Sequence, residues 1–286
     1  MALQRQIELS VGADGTGLLI SDLDVSFEVI RSVTFAENTA GFTITNAQES
    51  TRREILKQGN NVIFKAGYED EGIGVLFIGN ISMASSVRSG PDIITTLECV
   101  SVRGKDKPLG TTYVSLSYGP DVSIKKPLQD IAAALGLVLM GADNTAEIAL
   151  GNINLDGGFT AAGTARAALD YCKNILKAND VGLYIDNTEL VVYNLRGRTS
   201  RFTPVYLDYE SGLITVQEIE EEDNQSAQDP IPKKVEFDCL INPKLQPNGL
   251  VQIKTPHVNG FFIIDKLTFS GDNFGGDFHC VGEAVE

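Results

Sequence analysis

Tryptophan is missing from this chain, histidine occurs only at positions 257 and 279, and methionine occurs three times. Four cysteines, Cys99, Cys172, Cys239 and Cys280, lie far apart and form no CxxC pair. Two histidines cannot complete a zinc site from such scattered thiols. The cysteines therefore read as buried thiols of a protein made in a reducing cytoplasm. Basic residues are also scarce: 23 lysines and arginines stand against 38 aspartates and glutamates, a formal net charge of −15. That balance disfavours a surface built to hold nucleic-acid phosphates and does not exclude one that repels DNA moving past it. No apolar run approaches the ~18 residues that span a bilayer. The first ten residues carry neither a basic segment followed by an apolar one nor a cleavage site, so neither secretion nor membrane insertion is expected.

Catalytic and cofactor motifs are incomplete wherever they begin. Gly158 to Gly163 has the glycine spacing of a phosphate-binding loop, but Thr164 stands where the phosphate-reaching lysine belongs. The stretch reads instead as a turn into a helix capped at its start. Gly72, Gly74 and Gly79 flank a strand and do not open a helix, so they form no dinucleotide fingerprint. His279 and Cys280 are adjacent, yet neighbours on a strand point to opposite faces and cannot work as a dyad. His257 sits between Pro256 and Val258 in a loop with no partner that can be named. Asp272 and Asp277 fit no twelve-residue calcium loop and read as a tight hairpin. No catalytic group, cofactor or metal is expected.

Alternation of apolar and polar residues is abundant. Arg5 to Val11, Leu23 to Val33, Phe42 to Thr45, Val62 to Phe64, Val75 to Ile81 and Asp92 to Val102 read as strands. A short helix between Asn46 and Gly59 has capping-box candidates in Asn46 with Glu49 and Thr51 with Glu54. Around Lys107 the pattern breaks. The next segment is helical and then extended: Leu128, Ile131, Ala132 and Leu135 share one helix face behind Pro127 and before Gly136. A second helix starts near Thr164, and Gly182 to Tyr193 forms a hairpin turning at Asp186-Asn187. From Tyr206 the chain is extended again, in Gly212 to Ile219, Lys234 to Ile241, Leu250 to Lys254, Phe261 to Phe269 and Phe278 to Val285. The run Glu220, Glu221, Glu222 and Asp223 opens an acidic, proline-containing loop. These breaks divide the chain at 1–107, 108–205 and 206–286.

The two outer segments echo each other in order. Val62, Phe64 and Lys65 match Val251, Ile253 and Lys254. Ile78, Ile81 and Ser82 match Ile264, Leu267 and Thr268, and Gly90, Asp92 and Ile93 match Gly275, Asp277 and Phe278. Chance agreement in β-rich sequence is the bland reading and a duplicated β domain the sharper one, since several anchors agree in order.

The pieces from Ile44 to Glu71, followed by Val75 to Ser82, the echo at Leu240 to Lys254, Val258 to Leu267 and Gly271 to Cys280, and the helix and hairpin from Phe159 to Tyr193 together resemble the baseplate hub proteins of contractile phage tails. That family includes the gene D tail proteins and the N-terminal part of type VI secretion spike proteins. The resemblance implies a mainly β fold with an α+β middle, in which two tail-tube-like β-barrel domains flank a small α+β domain. It implies a non-enzymatic structural hub and a homotrimer whose six barrels adapt a six-fold tail tube to a three-fold spike around the DNA ejection channel. The implied partners are the tail tube protein, the central spike protein, the tape-measure protein and other baseplate proteins, with DNA only in passage. The implied location is the virion tail baseplate, assembled in the host cytoplasm. Glu220, Glu221, Glu222 and Asp223 are candidates for the channel lining, where carboxylates repel a duplex within a Debye length of ~10 Å at 0.1 M salt. The rival classes are a tail-tip cell-wall-degrading enzyme and a carbohydrate-binding tail module.

Overall fold

The computed structural model describes residues 4–12, 17–34, 37–57, 60–70, 72–101, 109–200, 202–219 and 233–286. The first β unit runs β1 (Arg5–Gly12), β2 (Leu18–Ile20), β3 (Val25–Ser32), β4 (Thr39–Thr45), α1 (Glu49–Ile55), β5 (Asn61–Tyr68), β6 (Gly72–Ser89) and β7 (Asp92–Val100). Its strands obey the period of two: Ala40, Phe42 and Ile44 of β4 are buried, and the residues between them are not. The expected capping boxes do not form, because α1 starts after Gln48, which makes no side-chain cap bond. Asn46 is used elsewhere: its side chain donates to Asp92 Oδ1 at 2.7 Å and accepts from the Ile93 amide at 2.9 Å, clasping the end of β4 to β7. The expected helix end at Gly59 lies outside the described residues.

The middle unit contains β8 (Tyr113–Tyr118), β9 (Val122–Ser123), α2 (Lys125–Leu135), β10 (Val138–Gly141), α3 (Asn144–Asn152), β11 (Asn154–Leu155), β12 (Phe159–Thr164), α4 (Ala165–Lys177), β13 (Val181–Asp186) and β14 (Glu189–Asn194). Helix α2 begins two residues before Pro127, buries Leu128, Ile131, Ala132 and Leu135, and stops at Gly136 in the left-handed conformation (φ 75°). Helix α4 is capped by Thr164, whose hydroxyl accepts from the Ala167 amide at 3.3 Å. The hairpin turns at Asn187-Thr188, one residue later than the sequence suggests, because Asp186 is still paired with Glu189 in the ladder. Helix α3 escapes periodicity: Ile148 is exposed and only Ala146 and Leu150 are buried, so the Asp143 cap, accepting from the Ala146 amide at 2.7 Å, is its clearest mark. This unit has its own apolar cluster, from Leu109 to Val192.

The second β unit is β15 (Val205–Leu207), β16 (Leu213–Ile219), β17 (Lys234–Leu240), β18 (Leu250–Lys254), β19 (Asn259–Asp272) and β20 (Phe278–Val285). Both β units belong to one thirteen-stranded sheet, in the order β16-β17-β20-β19-β3-β4-β7-β6-β5-β1-β2, with β18 on β19 and β15 on β18. One apolar cluster runs through both, from Ile7 to Cys99 and from Val205 to Ala284. With 54% strand and 16% helix the fold is mainly β. Among the described residues, no ladder closes either β unit into a barrel.

Candidate assembly interface

The strand orders β3-β4-β7-β6-β5 and β16-β17-β20-β19-β18 are the same arrangement written twice. Ladder registers fix the equivalence residue by residue. Thr39 of β4 lies opposite Val100 of β7, and Lys234 of β17 lies opposite Val285 of β20, which makes Phe42 the counterpart of Phe237. The β6–β7 ladder bulges between Ile81 and Met83, and the β19–β20 ladder bulges between Ile264 and Lys266. Val62 faces Gly79, two residues before the first bulge pair, and Val251 faces Phe262, two residues before the second. The Val62/Val251 anchor is therefore in register. Ile93 faces Arg88, Phe278 faces Gly271, and these again match when counted from the bulges.

The expected Ile78/Ile264 anchor is out by three residues, since Ile264 corresponds to Ile81. Val75, Leu76, Phe77, Ile78 and Ile81 form a run that is apolar on both faces, so residue type alone leaves the register free. Ladder pairing and the bulge decide it.

The two units meet where β19 changes neighbours. Up to Ile263 it pairs with β18, and from Lys266 to Asp272 it pairs with β3, antiparallel, from Ser32 back to Ser26. At this fork the middle unit is bolted down by polar groups. Arg31 of β3 is fully buried and grips Asp186 of β13 with two donors, Nε to Oδ1 at 3.0 Å and Nη2 to Oδ2 at 2.7 Å. Asn38 donates to the same carboxylate at 3.0 Å, and Gln246 accepts from Arg31 at 2.5 Å. Nearby, Arg198 reaches Asn248 and pairs with Asp265, and its guanidinium lies 5.1 Å from the centre of the Tyr193 ring. Val33, Ala142, Tyr184, Val191 and Tyr193 form an apolar patch beside these pairs. A buried, bidentate arginine–carboxylate pair holds an angle as well as a distance, and here Nε and Nη2 carry it while Arg31 Nη1 is buried without a hydrogen-bond partner among the described residues. Nothing in the local sequence around Arg31 announces this role, because its partners lie 155 and 215 residues away.

The residues singled out from sequence are not brought together. Glu220, Glu221, Glu222 and Asp223 fall between β16 and β17 and lie outside the described residues. Gly158 to Thr164 is the end of a turn and strand β12, paired with β8, so its backbone amides serve a ladder. The Asp272 carboxylate accepts from the Phe274 and Gly275 amides at 2.7 and 3.0 Å, closing the hairpin before β20. His279 Nδ1 lies 2.8 Å from Asp238 Oδ1, whereas Cys280 is buried opposite Cys239, and burial pushes its thiol pKa up. Burial also raises Cys99 and Cys172 to about 12, the opposite of a reactive thiolate. Among the described residues there is no group of three or more histidines, cysteines, aspartates or glutamates placed to hold a metal ion. Among the described residues no helix is long and apolar enough to cross a membrane.

The family model described as baseplate hub gp41 matches residues 6–284. The chain belongs to that family. Its hub fold is also seen in solved structures of low identity. A tail protein from Neisseria meningitidis MC58 matches with a TM-score of 0.67 at 12% identity, over 98% of this chain and 96% of that one. The prophage MuSo2 43 kDa tail protein from Shewanella oneidensis gives 0.66 at 12%, over 99% and 98%. The E. coli c3393 protein, a component of the type VI secretion system, gives 0.60 at 9%, over 97% of the hub and 76% of that chain. No curated protein matches the sequence.

Proposed function

We propose that this hub is a structural adaptor of a contractile tail: three copies form a ring that seats a six-fold tail tube on a three-fold spike and encloses part of the DNA ejection channel. The observation that carries the reading is the paired strand arrangement, which gives one chain two equivalent β units and three chains six. Each unit is then one tube-like barrel, closed in the assembly, and the chain divides at 1–107, 108–205 and 206–286. The tube protein takes one face of the ring and the central spike the other. The tape-measure protein and other baseplate proteins are further partners, DNA passes through without being held, and the ring is put together in the host cytoplasm before it joins the virion. No catalytic step is assigned to the chain. The acidic run Glu220 to Asp223 faces the channel, where its charge keeps the duplex off the wall.

Native mass measurement of the full chain, alone and with tube protein, tests the reading. A three-copy species that recruits six tube subunits is expected. An even-numbered, two-fold assembly overturns it, as does hydrolysis of peptidoglycan by the isolated chain. Replacing Glu220, Glu221, Glu222 and Asp223 by lysine is expected to slow DNA release from otherwise intact particles in a salt-dependent way. Unchanged release would remove only the assignment of those residues.

A further inference from the structure

The junction inside one chain has a missing counterpart. β19 pairs with β3 through Lys266–Asp272, and by the bulge equivalence the matching segment of β6 is Met83–Ser89, while the strand matching β3 is β16. Among the described residues, Met83–Ser89 has β7 on one side and no strand on the other, and β16 has β17 on one side and no strand on the other. These two edges also carry apolar side chains in solvent: Met83 is 52% exposed, Val87 62% and Ile214 47%. Unpaired strand edges with apolar flanks are templates for another strand. In one chain the two edges remain apart, so each is left for a second molecule.

We infer that β6 of one copy pairs antiparallel with β16 of the next, repeating between molecules the β19–β3 ladder found within one. Transferring the register places Ser85 opposite Ile219, Ser86 opposite Glu218, Val87 opposite Gln217, Arg88 opposite Val216 and Ser89 opposite Thr215. Arg88 then lies diagonal to Glu218 on the same face, a favourable cross-strand charge pair. The contact is heterologous, one edge type meeting the other, so it generates a ring when the rotation closes. The number of copies, three, rests on the adaptor reading above; the pairing and its register rest on the ladders.

Cysteine pairs test the register in the full chain, whose native cysteines are all buried. Directly opposed residues in an antiparallel ladder alternate between close and wide pairs. One of V87C/Q217C and S86C/E218C is therefore expected to give intermolecular disulfides on copper-phenanthroline oxidation, ending in a covalent trimer. S89C/E218C, displaced by three residues, is expected to give at least tenfold less. A trimer in which neither registered pair links overturns the strand pairing and leaves the ring reading intact. Linked open oligomers without a closed trimer support the pairing and overturn the three-copy closure. A chain that stays monomeric at high concentration, with and without tube protein, and forms no link overturns both.

Discussion

The two β units share five strands in the same order, yet each adds something different to them. The first adds α1 between β4 and β5 and lays β1 antiparallel on β5; the second has the loop from Ile241 to Gly249 in place of the helix and lays β15 parallel on β18. The shared strands line one apolar cluster, where alternation and volume constrain every residue. The additions sit at edges, where each unit meets a different neighbour. The outer edge of β3 is taken by β19, and that of β16 is not. Even within the shared core the packing is solved twice. Phe42 faces Leu97 in the first unit, whereas Phe237 faces Gly282 in the second. A Cβ at Gly282 would stand 2.1 Å from the Phe237 ring, so the ring occupies the space that a side chain fills in the other copy.

The largest expected effect lies where the first unit differs most. Replacing Arg31 by methionine strands the Asp186 carboxylate in the interior, and the loss expected in urea unfolding is about 3–5 kcal/mol. The double variant R31M/D186L should recover a large part of it, because the pair's cost is mostly that of an abandoned charge. A loss below ~1 kcal/mol for Arg31→Met would mean the junction does not depend on this pair.

The Phe42/Leu97 and Phe237/Gly282 pairs give the next test. Leu97→Ala leaves a cavity and is expected to cost about 2–5 kcal/mol. Gly282→Ala crowds the Phe237 ring and is expected to cost about 1–3 kcal/mol, relieved when Phe237→Leu is added. A neutral Gly282→Ala, measured by thermal unfolding, would break the claim that the two copies pack differently at this point.

The smallest effect separates the middle unit from the shared sheet. Tyr118 donates its hydroxyl to Asp130, which also pairs with Lys126. The Tyr118 hydrogen bond, then Lys126, lowers the Asp130 pKa below its ordinary 3.8. Burial and then the Asp130 carboxylate raise Tyr118 to about 12. A lowered carboxyl stabilises the fold above its ordinary pKa, and that contribution disappears as the pH falls through the folded value. A raised phenol stabilises the fold below about pH 10, and that contribution disappears as the pH rises toward 12. Tyr118→Phe should cost about 1 kcal/mol at pH 7 and flatten both arms of the stability profile. Equal pH dependence in both proteins would show that the contact contributes nothing.

Most strands in both outer segments were legible because alternation writes burial into sequence order, as at Phe42 and Ile44, whereas β2, β15 and the Met83–Ser89 half of β6 were not read, since they are short or mostly polar. Helices α2 and α4 were legible through their apolar faces, Gly136 and Thr164. The existence of a repeat was legible too, through Val62/Val251 and Asp92/Asp277. Register was not: in Val75 to Ile81 both faces are apolar, so only hydrogen bonding to β7 and the bulge at Ser82 locate the true counterpart of Ile264. The joining of the units was equally hidden. Arg31, Asp186 and Gln246 are scattered polar residues until folding brings them together, and no local pattern encodes a contact between strands 240 residues apart. What the sequence determined by itself is which residues face a core, because that depends on neighbours one and two positions away. Which edges are covered and which stay open was decided only by the tertiary structure, because an edge is covered by whatever distant strand the packing delivers to it.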